Sequence, residues 1–291
     1  MKILLLGQHG QVSRELQLSL HGQGELIVRG RAQLDLADPA QIRQQLRQLR
    51  PDLIINAAAY TAVDQAESEP ELAFAINATA PGILAEEAAA LGAPLIHYSS
   101  DYVFDGTKNT PYSEEDAPNP LGVYGRSKLA GEQAIQAVGG AHLILRTSWV
   151  YSLHGRNFLL SMQRLLQERD ELKVVADQIG APTWAGSIAA ATAQVIQHWH
   201  AGQAGPWGLY HLSAQGEVSW FGFACAIAER LRMQGKPTAA LQPIPASAYP
   251  TPTRRPLNSR LDCARLQRDW QIQLTDWHSA LLECLHSPRQ A

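Results

Sequence analysis

The sequence contains only three cysteines, Cys225, Cys263 and Cys284. Their number is odd, they lie far apart and no C-x-x-C occurs. That excludes a disulfide framework and a cysteine metal site, and suits reduced thiols. Long apolar runs are missing as well: none reaches the ~18 residues that a membrane span needs. The apolar start, residues 1–7, is too short for a secretory signal and runs into a glycine turn instead of a cleavage site. Charge of one sign is also lacking. With a net charge of −3, neither nucleic acid nor an anionic membrane is expected as a partner. Ten histidines show no metal-ligand spacing, so no metal is assigned, and no internal repeat is visible. What remains is an ordinary globular composition, 45% hydrophobic and 18% charged, with the cytoplasm as the expected location. A chain of 291 residues can bury one large α/β domain, or one and a half.

What is present is an alternation of short aliphatic runs with helical stretches. Residues 2–6 (KILLL) read as a strand covered on both faces. They lead through GQHGQVS into a helical segment, the context in which a glycine turn at Gly7 and Gly10 cradles a pyrophosphate. The spacing is G-x-x-G-x-x-S, with Ser13 in place of the third glycine, and an ordinary strand-turn-helix is the competing explanation. A second strand, 25–28, ends in Arg29-Gly30-Arg31, where an acid commonly meets the ribose of NAD. Arginines there suit a 2′-phosphate and tilt the cofactor toward NADPH, with NADH as the alternative. Asp35 and Leu36 come next, placed to lie beside an adenine, and Asp38-Pro39 opens a helix. The strand at 51–56 runs into Ala57-Ala58-Ala59, small residues that let a ligand approach the backbone. Asn77 interrupts an apolar helical stretch, either as a brace for the site or as a structural amide.

The chemistry concentrates between Tyr98 and Lys128. The apolar run 94–98 ends in Ser99-Ser100-Asp101, hydroxyls and an acid at the end of a buried strand. Tyr124 and Lys128 stand at i and i+4 at the head of a helix, on one face. A free tyrosine, with a pKa near ~10, is a poor acid. A lysine one turn away favours the phenolate and brings it toward the working pH. With Ser100 holding a carbonyl, this is the minimum set for reducing a ketone by hydride from a nicotinamide. Y-x-x-x-K alone is short enough to arise by chance; it gains meaning from the dinucleotide turn. The loop 105–122, rich in proline and acid, is too long for a simple connection and suits a site wall.

Residues 142–151 read as a sixth strand, with Arg146, Thr147, Ser148 and Trp149 toward its end. Six strands separated by helices imply an α/β fold, a Rossmann-type doubly wound parallel sheet. Residues 1–151 form the NAD(P)-binding Rossmann domain. Residues 152–291 form a smaller, mixed, mainly substrate-binding part, from which about 184–215 return to the Rossmann domain. The segment 240–260 (ending TPTRRPLNSR) reads as irregular structure, its arginines suited to a phosphate-bearing substrate. The last helices are expected at 262–268 and 275–286.

The motifs GQHGQV, NAAAYTAVDQAESEP, HYSSDYVFDG, PLGVYGRSKLAGE, LRTSWVY, DQIGAPT and YPTPTRRPLNSRL follow in order across nearly the whole chain. Together they resemble the dTDP-4-dehydrorhamnose reductase family, extended-type members of the short-chain dehydrogenase/reductase superfamily. The resemblance implies hydride transfer from NAD(P)H to C4 of a nucleotide-linked keto sugar. It implies Tyr124 as proton donor, Lys128 on the nicotinamide ribose and Ser100 at the carbonyl. It also places Gly10, Gln11 and Val12 at the pyrophosphate, and Asp35, Leu36, Ala59, Tyr60, Thr61 and Tyr98 along the cofactor. Asp101 and Trp149 would touch the sugar, and Asn258, Ser259 and Arg260 the substrate side. Ser13 and Gly30 depart from the family pattern. Some members are associated with magnesium held by an acid of the first helix, here Glu15, and bridging two subunits. One exposed glutamate is more often a surface charge, so Mg2+ is left open, as is the choice between monomer and homodimer. Two other readings compete: a sugar-nucleotide epimerase or dehydratase, and a non-catalytic regulatory subunit like that of methionine adenosyltransferase. Tyr102 after Asp101 argues against a dehydratase, which needs Asp-Glu there. The intact Ser100/Tyr124/Lys128 set argues against a scaffold.

Overall fold

Strands without a polar face need cover on both sides, which a parallel sheet flanked by helices supplies. The computed structural model describes residues 1–287. In it β1 (Lys2–Leu6), β2 (Glu25–Arg29), β3 (Leu53–Asn56), β4 (Leu95–Ser100) and β5 (His142–Thr147) run parallel. The strand Gly208–His211 adds beside β5. The sheet order is therefore Gly208–His211, β5, β4, β3, β1, β2. Between β1 and β3 the order reverses, and ligands of such sheets bind at the carboxyl ends of the strands around this point.

Five helices follow the first five strands or link them: α1 (Gln11–Ser19), α2 (Pro39–Leu49), α3 (Pro70–Phe74), α4 (Ala80–Leu91) and α5 (Val123–Val138). Asp38 starts α2 by accepting from the Ala40 and Gln41 N–H groups, with Pro39 at the first helical position. One sheet face is sealed by α1 and the helix Ala185–His200, where Leu16, Ile188 and Ile196 meet Ile3, Leu5 and Leu143. The other is sealed by α2, α4 and α5, where Ile42, Leu84 and Ile135 meet Leu4, Leu6 and Ile144. A separate core around Tyr151, Leu159, Phe223, Ile227 and Leu281 holds the C-terminal part together. No helix among the described residues is long and apolar enough to cross a membrane.

Two sequence expectations are corrected. The run 142–151 is not one strand and not the sixth: β5 stops at Thr147, and Val150–Tyr151 pairs with Thr183–Trp184 instead. The cause is Trp149, whose φ of 48° turns the chain while its indole stacks on Trp220 at 3.5 Å. The sixth strand is Gly208–His211, from the second half of the chain. The segment 240–260 is not wholly irregular, since Ala240–Ile244 pairs in parallel with Glu171–Val175. Pro243 is tolerated there because both strands of this small sheet are edges. Residues 70–91 form one nearly continuous helical run with a π-turn at Ala75–Thr79, which contains Asn77. Such turns widen a helix locally and recur at functional sites.

Candidate active site

The glycine turn after β1 is required by close approach. Gly7 has φ 99°, and a Cβ there would lie 2.8 Å from the Ala57 carbonyl oxygen. The turn presents the head of α1 to the cleft, where free N–H groups and the helix dipole favour an anion. Ser13, in the first turn of α1, is fully buried, filling the position of the third glycine. Gln11 contributes by its backbone, because its Oε1 accepts from Ser152 Oγ (3.1 Å) and Asn157 Nδ2 (2.8 Å).

Opposite the turn, β4 delivers Ser100 and α5 delivers Tyr124 and Lys128 to the same cleft. Ser100 Oγ donates to Asp101 Oδ1 at 3.0 Å and accepts from the Tyr102 N–H at 3.1 Å. The Tyr124 ring stands edge-on to Tyr102, centroids 5.5 Å apart. Burial pushes the Tyr124 phenol up to about 12, opposed by its hydrogen bond with Ser100. Lys128 does not reach the phenol. Its Nζ donates to the Tyr98 carbonyl at 2.6 Å and lies 3.3 Å from His97 Nε2. Burial holds its amine down at about 8, with Glu132 pulling the other way. The direct tuning of tyrosine by lysine that the i, i+4 spacing suggests is therefore not the arrangement found: a desolvated amine takes the strongest acceptor in reach, here a strand-end carbonyl.

Several groups outside the motifs shape this wall. A Cβ on Gly125 would sit 2.1 Å from the Tyr102 carbonyl oxygen, and one on Gly131 2.0 Å from that of Asn77. Both glycines let α5 press against neighbouring backbone. Asn77 is the brace that the sequence left undecided: it pairs with both the N–H and the carbonyl of Tyr60 and donates to Ser127 Oγ on α5. Glu67 accepts from the Val123 N–H and so caps α5 from a distant segment. The sequence reading passed over Gly125, and no local signal marks it, since what it touches lies across the fold.

Arg29, Asp35, Leu36, Ala59, Tyr60 and Thr61 line an adjoining pocket, with Arg31 at its rim paired to Asp35 at 3.4 Å. Tyr98 differs: its ring lies in the core with its hydroxyl on Thr192 at 2.7 Å, so it serves the site through its carbonyl. Asp101 and Trp149 face the cleft, and Ser259 is buried against Asp101. Asn258 and Arg260 instead tie down the loop 106–112. Asn258 Nδ2 donates to the Lys108 and Thr110 carbonyls, and Arg260 spends its guanidinium on Asn258, Asn109 and Glu217. Arg254, in the same groove and unnoticed as an individual residue from sequence, makes no ion pair among the described residues.

Ser99 Oγ, Asp101 Oδ2 and Thr147 Oγ1 are buried without a protein partner, and all three residues line the cleft. Orphaned polar atoms at the strand ends, beside a backbone cradle, fit a polar dinucleotide and its co-substrate. Glu15 lies in a different groove near His154, and among the described residues no three His, Cys, Asp or Glu side chains come together.

Burial raises the Asp101 carboxyl to about 6, with hydrogen bonds from Ser259 and Ser100 opposing. The folded protein thus holds this proton more tightly than the unfolded chain. Its carboxylate therefore costs stability as pH rises from about 4 to about 6. Asp101→Asn is expected to stabilise the protein by up to about 3 kcal/mol above that window. The gain should vanish below pH about 4, where both states carry the proton. Urea unfolding at the two pH values checks it.

Residues 1–289 match the family model described as the RmlD substrate binding domain. A dTDP-4-dehydrorhamnose reductase of Burkholderia thailandensis is 45% identical, covering 98% of each chain. One from Escherichia coli K12 is 46% identical, over 98% of this chain and 97% of its own. Among solved structures, a dTDP-4-dehydrorhamnose reductase of Bacillus anthracis in complex with NADP superposes with a TM-score of 0.90. It is 34% identical and covers 98% of this chain and 99% of its own.

Proposed function

The chain belongs to the RmlD substrate binding domain family, and from that premise we infer that it is the reductase its relatives are named for. It reduces the C4 keto group of dTDP-4-dehydro-L-rhamnose with NADPH to give dTDP-L-rhamnose. The observation that carries this is the meeting of Ser100, Tyr124 and Lys128 in one cleft with the Gly7–Gly10 turn. When bound, the reduced nicotinamide supplies the hydride to C4.

The chain's own residues do the rest. Tyr124 gives its phenolic proton to the C4 oxygen as the carbonyl becomes an alcohol. Ser100, in the same cleft as Tyr124, orients that oxygen. Lys128, anchored on the Tyr98 carbonyl, supports the nicotinamide ribose. The head of α1 takes the pyrophosphate. Asp101, Trp149 and Ser259 hold the sugar, and Arg254 is placed to meet the diphosphate of the substrate.

The pocket beyond β2 carries arginines where an acid would favour NADH. Removing Arg29 and Arg31 together is expected to raise KM for NADPH about tenfold more than KM for NADH, a charge-assisted contact to the 2′-phosphate being lost. Initial rates with each cofactor measure it, and an equal change in both would show that the arginines do not read the phosphate. The deciding test of function is nicotinamide oxidation with and without enzymatically generated dTDP-4-dehydrorhamnose. Oxidation that depends on the sugar supports the reading. Cofactor binding without sugar-dependent oxidation sinks it.

A further inference from the structure

Beneath the cleft floor lies a buried polar pair that the reaction as derived does not use. Asn56, the last residue of β3, and His97, in the middle of β4, are register partners. Each is 1% exposed. Asn56 Nδ2 lies 3.0 Å from His97 Nδ1, and His97 Nε2 lies 3.3 Å from Lys128 Nζ.

The direction of this chain follows from its far end. The Ala58 N–H donates to Asn56 Oδ1 at 3.2 Å, which turns the amide so that Nδ2 faces the imidazole and donates. His97 Nδ1 is then an acceptor, and the ring proton sits on Nε2. An imidazolium is excluded, since burial holds the His97 pKa well below its ordinary value. So Nε2–H points at Lys128 Nζ. An ammonium can only donate, and two donors cannot satisfy each other. A neutral amine can accept from Nε2–H through its lone pair while donating to the Tyr98 carbonyl.

We propose that Asn56 and His97 are positioning residues that orient the Lys128 amine and favour its neutral form in the cofactor-free protein. Lys128 then exchanges a proton within the working pH range instead of remaining a fixed cation. Its value for Tyr124 rests on the reductase reading; its charge state does not. The other groups around Lys128 are Tyr124 and Glu132 on α5, Asp101 after β4, and Arg146 on β5, which is ion-paired to Glu132. Asn77, from the π-turn, is not titratable.

The test reads the protein without cofactor. Nitrogen-15 NMR of the histidines is expected to show His97 as the neutral Nε2–H tautomer. Asn56→Asp, whose carboxylate accepts from Nδ1, is expected to move the proton to Nδ1. In protein labelled at lysine Cε, Lys128 is expected to titrate near 8. His97→Gln, whose amide oxygen can accept from an ammonium without adding charge, is expected to raise that midpoint by about one unit, a tenfold change in the ionisation constant. A wild-type Nδ1–H tautomer overturns the proposal, with no variant needed. So does a folded His97→Gln protein whose Lys128 midpoint does not move. Should the NMR results come out as expected while no sugar-dependent oxidation is seen, this proposal stands and the reductase reading falls.

Discussion

Tyr124→Phe is expected to lower kcat by about 10²- to 10⁴-fold, the range of a positioned general acid, while NADPH binding is retained. The phenol is the proton source in the cleft whose neighbour, Ser100, can also contact the substrate oxygen. Phenylalanine keeps the ring and its edge-on packing against Tyr102, so the fold and the wall of the cleft persist and the proton is lost. Single-turnover oxidation of bound NADPH, alongside a cofactor titration, separates the two effects. A loss of less than about tenfold would move the acid role to another group. Asp101 would be that group, since it is buried in the same cleft with one oxygen unpartnered and its carboxyl raised to about 6.

The largest effect on stability is expected beneath α5. Glu132 and Arg146 form a two-pronged pair, Nε to Oε1 at 2.9 Å and Nη2 to Oε2 at 2.6 Å, with side chains 1% and 2% exposed. The guanidinium also lies over the Phe104 ring at 5.0 Å. Glu132→Ala leaves a cation buried with its main partner gone, and should cost about 3–5 kcal/mol. Glu86→Ala removes a comparable contact to Arg43 at 2.6 Å, but that pair is open to solvent. It should cost less than about 1 kcal/mol. Urea unfolding of both variants gives the comparison. Similar losses would mean that water reaches Arg146. Because the pair joins the helix of Tyr124 to the strand beside β4, Glu132→Ala should also lower kcat.

Much of this protein is written in local patterns. Strands without a polar face announce a parallel sheet, since only helices on both sides can cover them, and β1, β3 and β4 need no tertiary information to be recognised. The turn of Gly7 and Gly10 and the i, i+4 spacing of Tyr124 and Lys128 are likewise short-range facts, readable because backbone geometry repeats. The ordered motifs were enough to point to the family.

Contacts between distant segments were not legible. That β5 ends at Thr147 depends on Trp149 finding Trp220 some seventy residues later. The position of the strand at 208–211 within the sheet was not legible, because sheet order is chosen by packing, and Gly208–His211 takes the edge that β5 leaves open. Gly125 reads as a helix-weakening glycine until the Tyr102 carbonyl is seen against it. That Asn258 and Arg260 hold the loop 106–112 shows only when their partners there appear. Lys128 shows the division most plainly. Its spacing from Tyr124 is set by the helix, but the target of its amine is set by what β3 and β4 bring beneath it, a carbonyl and a histidine held by Asn56. Sequence determines which chemical groups a segment carries and the local geometry that repeats. The partners of a buried polar group come from elsewhere in the chain, and only the assembled fold decides them.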